Sequence, residues 1–189
     1  MTASRAAYAF AKLKFPGRDK IFLCYLSTMM IPWYVILIPQ FFIMQKLHLY
    51  DTHWSLILTG AFNVFSVFLL RQNMLSIPDS LAEAAKIDGC GPWGIYVKII
   101  LPLCKTSLAT LVVLNFNSVW NDYMGPMIYL DTDSKKTIQL GLATFRRQFD
   151  TDYGAIMAGT TLSLIPVVIL YSVAQKYIVE GIAYAGVKG

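Results

Sequence analysis

An all-α fold, a polytopic transmembrane helix bundle, is what this sequence predicts, and three observations predict it. Apolar residues make up 56% of the 189 positions and charged residues only 14%, with a mean hydropathy of +0.53. Soluble domains run at about 45–50% and about 25%. The apolar residues are gathered into four runs, each close to the length of about 20 residues that a helix needs to cross a bilayer. Lysine and arginine are distributed unevenly between the segments joining those runs, as expected of a membrane protein.

The first twenty residues carry Arg5, Lys12, Lys14, Arg18 and Lys20. They leave no uninterrupted apolar stretch behind a short basic start, so they do not read as a signal peptide. The first span is expected at about 21–44. The second, 54–75, reaches full length only if Arg71 snorkels to the interface. The third is expected at 108–130 and the fourth at 156–179. Trp33, Trp54, Trp120, Tyr123, Tyr129 and Tyr177 supply interface anchors. Pro32, Pro39, Pro126 and Pro166 fall within spans, where neighbouring helices can satisfy the freed backbone groups. Gly60, Gly125 and Gly159 offer close helix contact. Eleven of the sixteen basic residues lie in the two terminal segments, at Arg71 and Lys176, or in the loop 76–106; Lys46, Lys135, Lys136, Arg146 and Arg147 lie on the other side. Positive-inside then places both termini and the loop 76–106 in the cytoplasm, and 47–53 and the outer loop 131–155 outside. The whole chain reads as one multi-pass membrane domain.

The loop 76–106 carries the most information. Ser76-Ile77-Pro78-Asp79 is a helix start, with Ser76 as cap and Asp79 closing a capping box. Leu81, Ala84, Ala85 and Asp88 follow at helical spacing, and Gly89 is a natural left-handed terminator. Pro92 opens a second short helix from Trp93 to about Ile100, which Pro102 is expected to break. Two short helices carrying Leu81, Ile87, Trp93, Ile95 and Tyr96 outside the membrane call for a protein partner or the membrane surface.

Several chemistries are excluded or disfavoured. Gly89, Gly91 and Gly94 match G-x-G-x-x-G, but a dinucleotide loop follows a strand and is followed by an acid about 20 residues on. These glycines follow a helix, and no acid occurs between Asp88 and Asp122. No G-x-x-x-x-G-K-[ST] occurs either. Cys24, Cys90 and Cys104 form no disulfide framework or zinc pattern. His48 and His53 read as solvated, and Asp131-Thr132-Asp133 lacks the glycine of a calcium loop; no metal is expected. The net charge of +5 comes without a basic stripe interleaved with aromatics, so no nucleic acid is expected. No converging acid, base and nucleophile is visible, so the chain is not expected to be an enzyme.

Glu83-Ala84-Ala85, Gly89 and Ile99-Ile100-Leu101-Pro102 together spell E-A-A-x3-G-x9-I-x-L-P. This resembles the coupling-loop signature of inner-membrane permease subunits of binding-protein-dependent ABC importers. Ala7 to Gly17, Trp120-Asn121-Asp122, Tyr153 to Gly159 and Gly186 to Gly189 resemble the carbohydrate branch, of the maltose and glycerol-phosphate type. Members of that family usually have six spans, and the segment Ala7 to Gly17 normally closes the second. The chain is therefore expected to lack the first one or two spans, with four remaining.

The resemblance implies a non-enzymatic permease subunit that translocates a sugar or oligosaccharide delivered by an extracellular or periplasmic binding protein. ATP and Mg would be bound by a separate cytoplasmic ABC ATPase dimer, with no cofactor in this chain. A second permease subunit, usually a different one, and membrane lipid complete the partners. Glu83, Ala84, Ala85, Asp88 and Gly89 would sit at the joint with the ATPase, while Ile99, Leu101 and Pro102 fix the second helix. Two alternatives stay open: an importer of a non-sugar solute, and a truncated membrane scaffold that transports nothing. Asn117, Asn121 and Asp122 either line a solute path or serve interhelical hydrogen bonding. Gly186, Lys188 and Gly189 either reach the ATPase or end as a frayed tail.

Overall fold

The computed structural model describes residues 1–145 and 152–186, with side chains to residue 176. Those residues are helical throughout their regular structure, with no strand among them. The helices are α1 (Thr2–Lys12), α2 (Arg18–Ser27), α3 (Trp33–Lys46), α4 (His53–Gly60), α5 (Val64–Leu75), α6 (Asp79–Ile87), α7 (Pro92–Ile95), α8 (Leu101–Leu103), α9 (Lys105–Trp120), α10 (Met124–Tyr129), α11 (Ile138–Ala143) and α12 (Tyr153–Gly186). A π-helical stretch, Tyr96–Ile100, joins α7 to α8.

Two segments, His53–Leu75 and Tyr153–Lys176, are long and apolar enough to cross a membrane. Two bent pairs meet the same test when each is taken as one span: Arg18–Met30 with Trp33–Lys46, and Pro92–Leu103 with Lys105–Trp120. The span expected at 21–44, with Pro32 and Pro39 inside it, is therefore two helices. Pro32 is the cause: it drives Ile31 out of helical conformation, to φ −82° and ψ 115°. Pro39 and Pro166, by contrast, sit inside α3 and α12. The run expected at 108–130 begins earlier, at Lys105, and stops at Trp120. Pro126 cannot donate to a carbonyl one turn back, so the chain restarts at α10 with Pro126 in the first turn, where no donor is needed. Asp122 Oδ1 accepts from the Gly125 amide there, at 3.1 Å.

The chain forms two compact units. The first comprises Met1–Pro32, Ala61–Leu111 and Tyr177–Gly189. Its core gathers Ala7, Tyr8 and Ala11 of α1, Phe22 of α2, Val67, Leu70 and Met74 of α5, Ala85 of α6, and Ile95, Tyr96, Ile100 and Cys104. Alanines at 7 and 11 let the α1 backbone lie close on α5, its most extensive neighbour. Arg71 is folded against α1 and α2. Its Nε donates to the Phe10 carbonyl at 3.2 Å, its Nη2 meets Asp19 at 3.2 Å, and the guanidinium lies 4.1 Å from the Phe22 ring centroid. It thereby satisfies a carbonyl that the end of α1 leaves without a helical donor.

The second unit comprises Trp33–Gly60 and Val112–Lys176. Here α10 packs on α4, and Tyr129, Leu130, Gly125 and Pro126 are buried. Along α12 the apolar residues face outward: Leu162, Leu164, Ile165, Val168, Ile169 and Val173 are all exposed. A soluble protein could not leave such a face in water.

Candidate functional site

The loop between α5 and α9 is built from turn chemistry that can be followed residue by residue. Pro78 occupies the N-cap of α6, and Asp79 is its first residue. Ser76 belongs to the preceding helix: its Oγ donates to the Asn73 carbonyl at 2.8 Å, so it caps the end of α5 and not the start of α6. Asp79 closes no capping box. Its Oδ1 takes a 2.6 Å hydrogen bond from Lys12 Nζ. That ammonium holds the Asp79 carboxyl below the ordinary carboxylate range.

Helix α6 ends in a Schellman turn. The Gly89 amide donates to Lys86 O at 3.0 Å and the Cys90 amide to Ala85 O at 2.9 Å. Gly89 holds φ at +79°, a region open to glycine and costly for other residues. Gly91 returns to extended backbone, and Pro92 takes the first position of α7, where its missing N–H costs nothing. Pro102 does not break the second helix as expected. The backbone widens into the π stretch Tyr96–Ile100 just before it and continues to Leu103. A widened turn relieves the clash of the proline ring with the carbonyl four residues back.

Glu83, Ala84, Asp88 and Gly89 lie on the exposed side of this loop. Ala85 does not join them: it is buried in the first unit's core, so its small size serves internal packing. Ile87 is 87% exposed at the tip, with Leu81 and Trp93 also exposed. Ile95 and Tyr96 point inward and are almost fully buried. Ile99 and Leu101 are half-buried against the same core, and Pro102 is exposed.

The part of the site that sequence reasoning missed is α1. Ser4, Tyr8 and Lys12 form one stripe and grip the loop at three points. Ser4 Oγ and Tyr96 Oη share a buried hydrogen bond of 2.8 Å. Tyr8 Oη donates to Pro92 O at 3.0 Å. Lys12 Nζ donates to Ile77 O at 2.6 Å as well as to Asp79, and the Lys12 side chain is only 6% exposed. The Tyr8 and Tyr96 rings stand 5.1 Å apart, and the Arg5 guanidinium lies 5.4 Å from the Trp93 ring centroid. The spacing of four between Ser4, Tyr8 and Lys12, beside Ala7 and Ala11, was the available signal.

In the second unit, Asp51 organises its neighbours. It adopts φ +53° and accepts from the Asp131 and Thr132 amides at 2.9 and 3.0 Å, Thr132 Oγ1 at 2.6 Å and Lys135 Nζ at 2.9 Å. These bonds, that from the Thr132 hydroxyl foremost, hold its carboxyl far below the ordinary range. His53 Nε2 lies 3.0 Å from Lys135 O. Among the described residues no group of three or more His, Cys, Asp or Glu side chains could hold a metal. Asn117 and Asn121 are exposed and linked, with Asn121 Nδ2 donating to Asn117 Oδ1 at 2.9 Å and Gln139 Nε2 to Asn121 Oδ1 at 3.3 Å. Asp122 is engaged at the start of α10. Gly186 is the last residue of α12, while Lys188 and Gly189 lie outside the described residues.

Residues 3–184 match the family model described as the binding-protein-dependent transport system inner membrane component. The chain is 37% identical over 187 residues to the arabinooligosaccharides transport system permease protein AraQ of Halalkalibacterium halodurans, covering 99% of this chain and 67% of that one. It is 30% identical to the lactose transport system permease protein LacG of Rhizobium radiobacter, covering 96% and 66%. Among solved structures it superimposes with a TM-score of 0.81 and 31% identity on a chain of a bacterial ABC transporter involved in the import of the acidic polysaccharide alginate, covering 93% of this chain and 69% of the other. The chain thus spans about two thirds of the length of the relatives it matches. With its outward-facing apolar helices and its E-A-A loop closed by Gly89, this chain belongs to the family of binding-protein-dependent transport system inner membrane components.

Proposed function

We propose that this chain is the membrane-spanning subunit of an ATP-driven importer of a sugar or oligosaccharide, coupled to a separate ATPase through the loop 76–106. The observation that carries the reading is the tip of that loop. The Schellman turn at Gly89 presents Ile87 to solvent beside Asp88, with Glu83 and Ala84 on the exposed side of the same helix. A large apolar side chain ringed by polar groups at a rigid turn is suited to insertion into a partner's cleft. The named solutes of the relatives, arabinooligosaccharides, lactose and alginate, are all carbohydrates, which favours a sugar over other solutes.

In this reading the loop 76–106 and both termini face the cytoplasm, and the ATPase dimer binds ATP and Mg. The clamp of Asp51 on Asp131, Thr132 and Lys135 then lies outside and shapes the surface that receives the binding protein. A second permease subunit covers part of the exposed apolar face, and lipid covers the rest. Asn117 and Asn121 present amide groups for a sugar's hydroxyls. Gly186, Lys188 and Gly189 reach toward the ATPase.

Native mass spectrometry of the complex, extracted gently from its own membrane, tests this. The expected result is an ATPase pair and a second permease bound to this chain, with Ile87→Asp releasing the ATPase but not the permease. An ATPase that stays bound to the Ile87→Asp complex would refute the assignment of the tip.

A further inference from the structure

We infer that Lys12, Tyr8 and Ser4 are positioning residues that carry the movement of the coupling loop into α1. This rests on the importer reading, and it names the route by which the loop's displacement leaves the loop. The E-A-A signature of the coupling loop contains no residue of α1; the argument comes from three contacts.

Each contact secures a different piece of the loop. Lys12 Nζ holds both Ile77 O and Asp79 Oδ1, at the entry to α6. Tyr8 Oη holds Pro92 O, at the start of α7. Ser4 Oγ meets Tyr96 Oη, at the start of the π stretch. The two arms of the loop, before and after Gly89, are therefore both tied to a single helix. Without such ties, displacement of the tip would be absorbed by rotation about Gly89 and Gly91.

The ties are placed where they transmit load. Lys12 is nearly buried, and the Ser4 to Tyr96 bond is buried, so neither partner can exchange its bond for water at no cost. Lys12 donates to a backbone carbonyl as well as a carboxylate, so it grips the chain itself and not only a mobile side chain. Beside the stripe, Ala7 and Ala11 are buried at 0% and 6% in the core shared with α5. Closely packed interiors shift as bodies and do not deform continuously. A helix whose ties lie next to its packed face must move with what pulls it.

Hydrogen exchange on the intact importer, with its ATPase, compared before and after trapping by ATP and orthovanadate, tests this. In the unaltered complex, trapping is expected to change amide protection in the loop 76–104 and also in α1 and α5. In Lys12→Met and in Tyr8→Phe, the loop and the α5 end joined to it still respond, while the change in α1 falls about tenfold. Tyr8→Phe deletes a single hydroxyl, so it decides the matter if Lys12→Met fails to assemble. An α1 response of full size in the variants overturns the inference. A loop that does not respond to trapping even in the unaltered complex overturns the importer reading instead.

Discussion

Replacing Gly89 tests the turn on which the proposed ATPase contact depends, and the structure supplies the magnitudes. At φ +79° an L-residue places Cβ against the following carbonyl, at a cost of about 1–2 kcal/mol. No steric clash adds to this, because a Cβ built on Gly89 meets nothing within 4 Å. Gly89→Ala should therefore lose only the backbone term, and Gly89→Asn less, since asparagine enters the left-handed region more readily. Gly89→Pro cannot reach this φ at all and removes the amide that donates to Lys86 O, so it should cost about 3 kcal/mol or more. The Cys90 amide, bonded to Ala85 O at 2.9 Å, reports on the turn directly. Its hydrogen-exchange rate should rise about 5- to 30-fold in Gly89→Ala, less in Gly89→Asn and most in Gly89→Pro. Equal rates in the alanine variant and the unaltered protein would show that the left-handed turn is not what closes α6. Activation of the ATPase by the loaded binding protein should follow the same order.

Three further outcomes are expected. Arg71→Met removes a charge-assisted bond to Phe10 O and the contact with the Phe22 ring, and should destabilise the detergent-solubilised protein by about 2–3 kcal/mol in denaturant melts; Arg71→Lys should recover little, because an ammonium lacks the planar fork. Asp122→Ala should cost about 1 kcal/mol by freeing the Gly125 amide, while transport selectivity stays unchanged; altered selectivity would assign Asp122 to the solute path. The carboxyls of Asp51 and Asp79 titrate lower in the folded protein than in the unfolded chain. Their contribution is complete above the unfolded value of about 3.9 and is lost as pH falls below it. Stability followed by tryptophan fluorescence should therefore be insensitive to these groups from pH 7 to 5 and fall below about pH 4. Asp51→Asn together with Asp79→Asn should flatten that fall, and an unflattened one would show that other groups cause it.

The turn at Gly89 and the start at Pro92 were legible because their chemistry is local: a left-handed glycine and an N-terminal proline act on the backbone around them. The apolar runs were legible because composition decides them. The differences have two sources: local hydrogen bonding and backbone geometry that pattern alone does not decide, and contacts distant in sequence. Ser76 looks like a cap for the helix after it, yet its hydroxyl turns back to Asn73. Lys12 and Arg71 count equally as positive charges in an orientation argument, but each is drawn inward by an acceptor more than fifty residues away. Ala85 sits beside Ala84 in the motif, and only packing into the first unit's core decides that one faces in and the other out. Pro102 was read as a helix breaker because sequence patterns do not register the extra residue that a π turn takes up.

The stripe on α1 has a handedness. Steps of four residues exceed a turn of 3.6 by about 40°, and each climbs about 6 Å. Ser4, Tyr8 and Lys12 therefore follow a shallow spiral, winding about 80° around α1 over about 12 Å. A load shared among points on a spiral has a component around the axis as well as along it. A push on the loop gripped at those points would therefore turn α1 slightly as well as shift it along its axis.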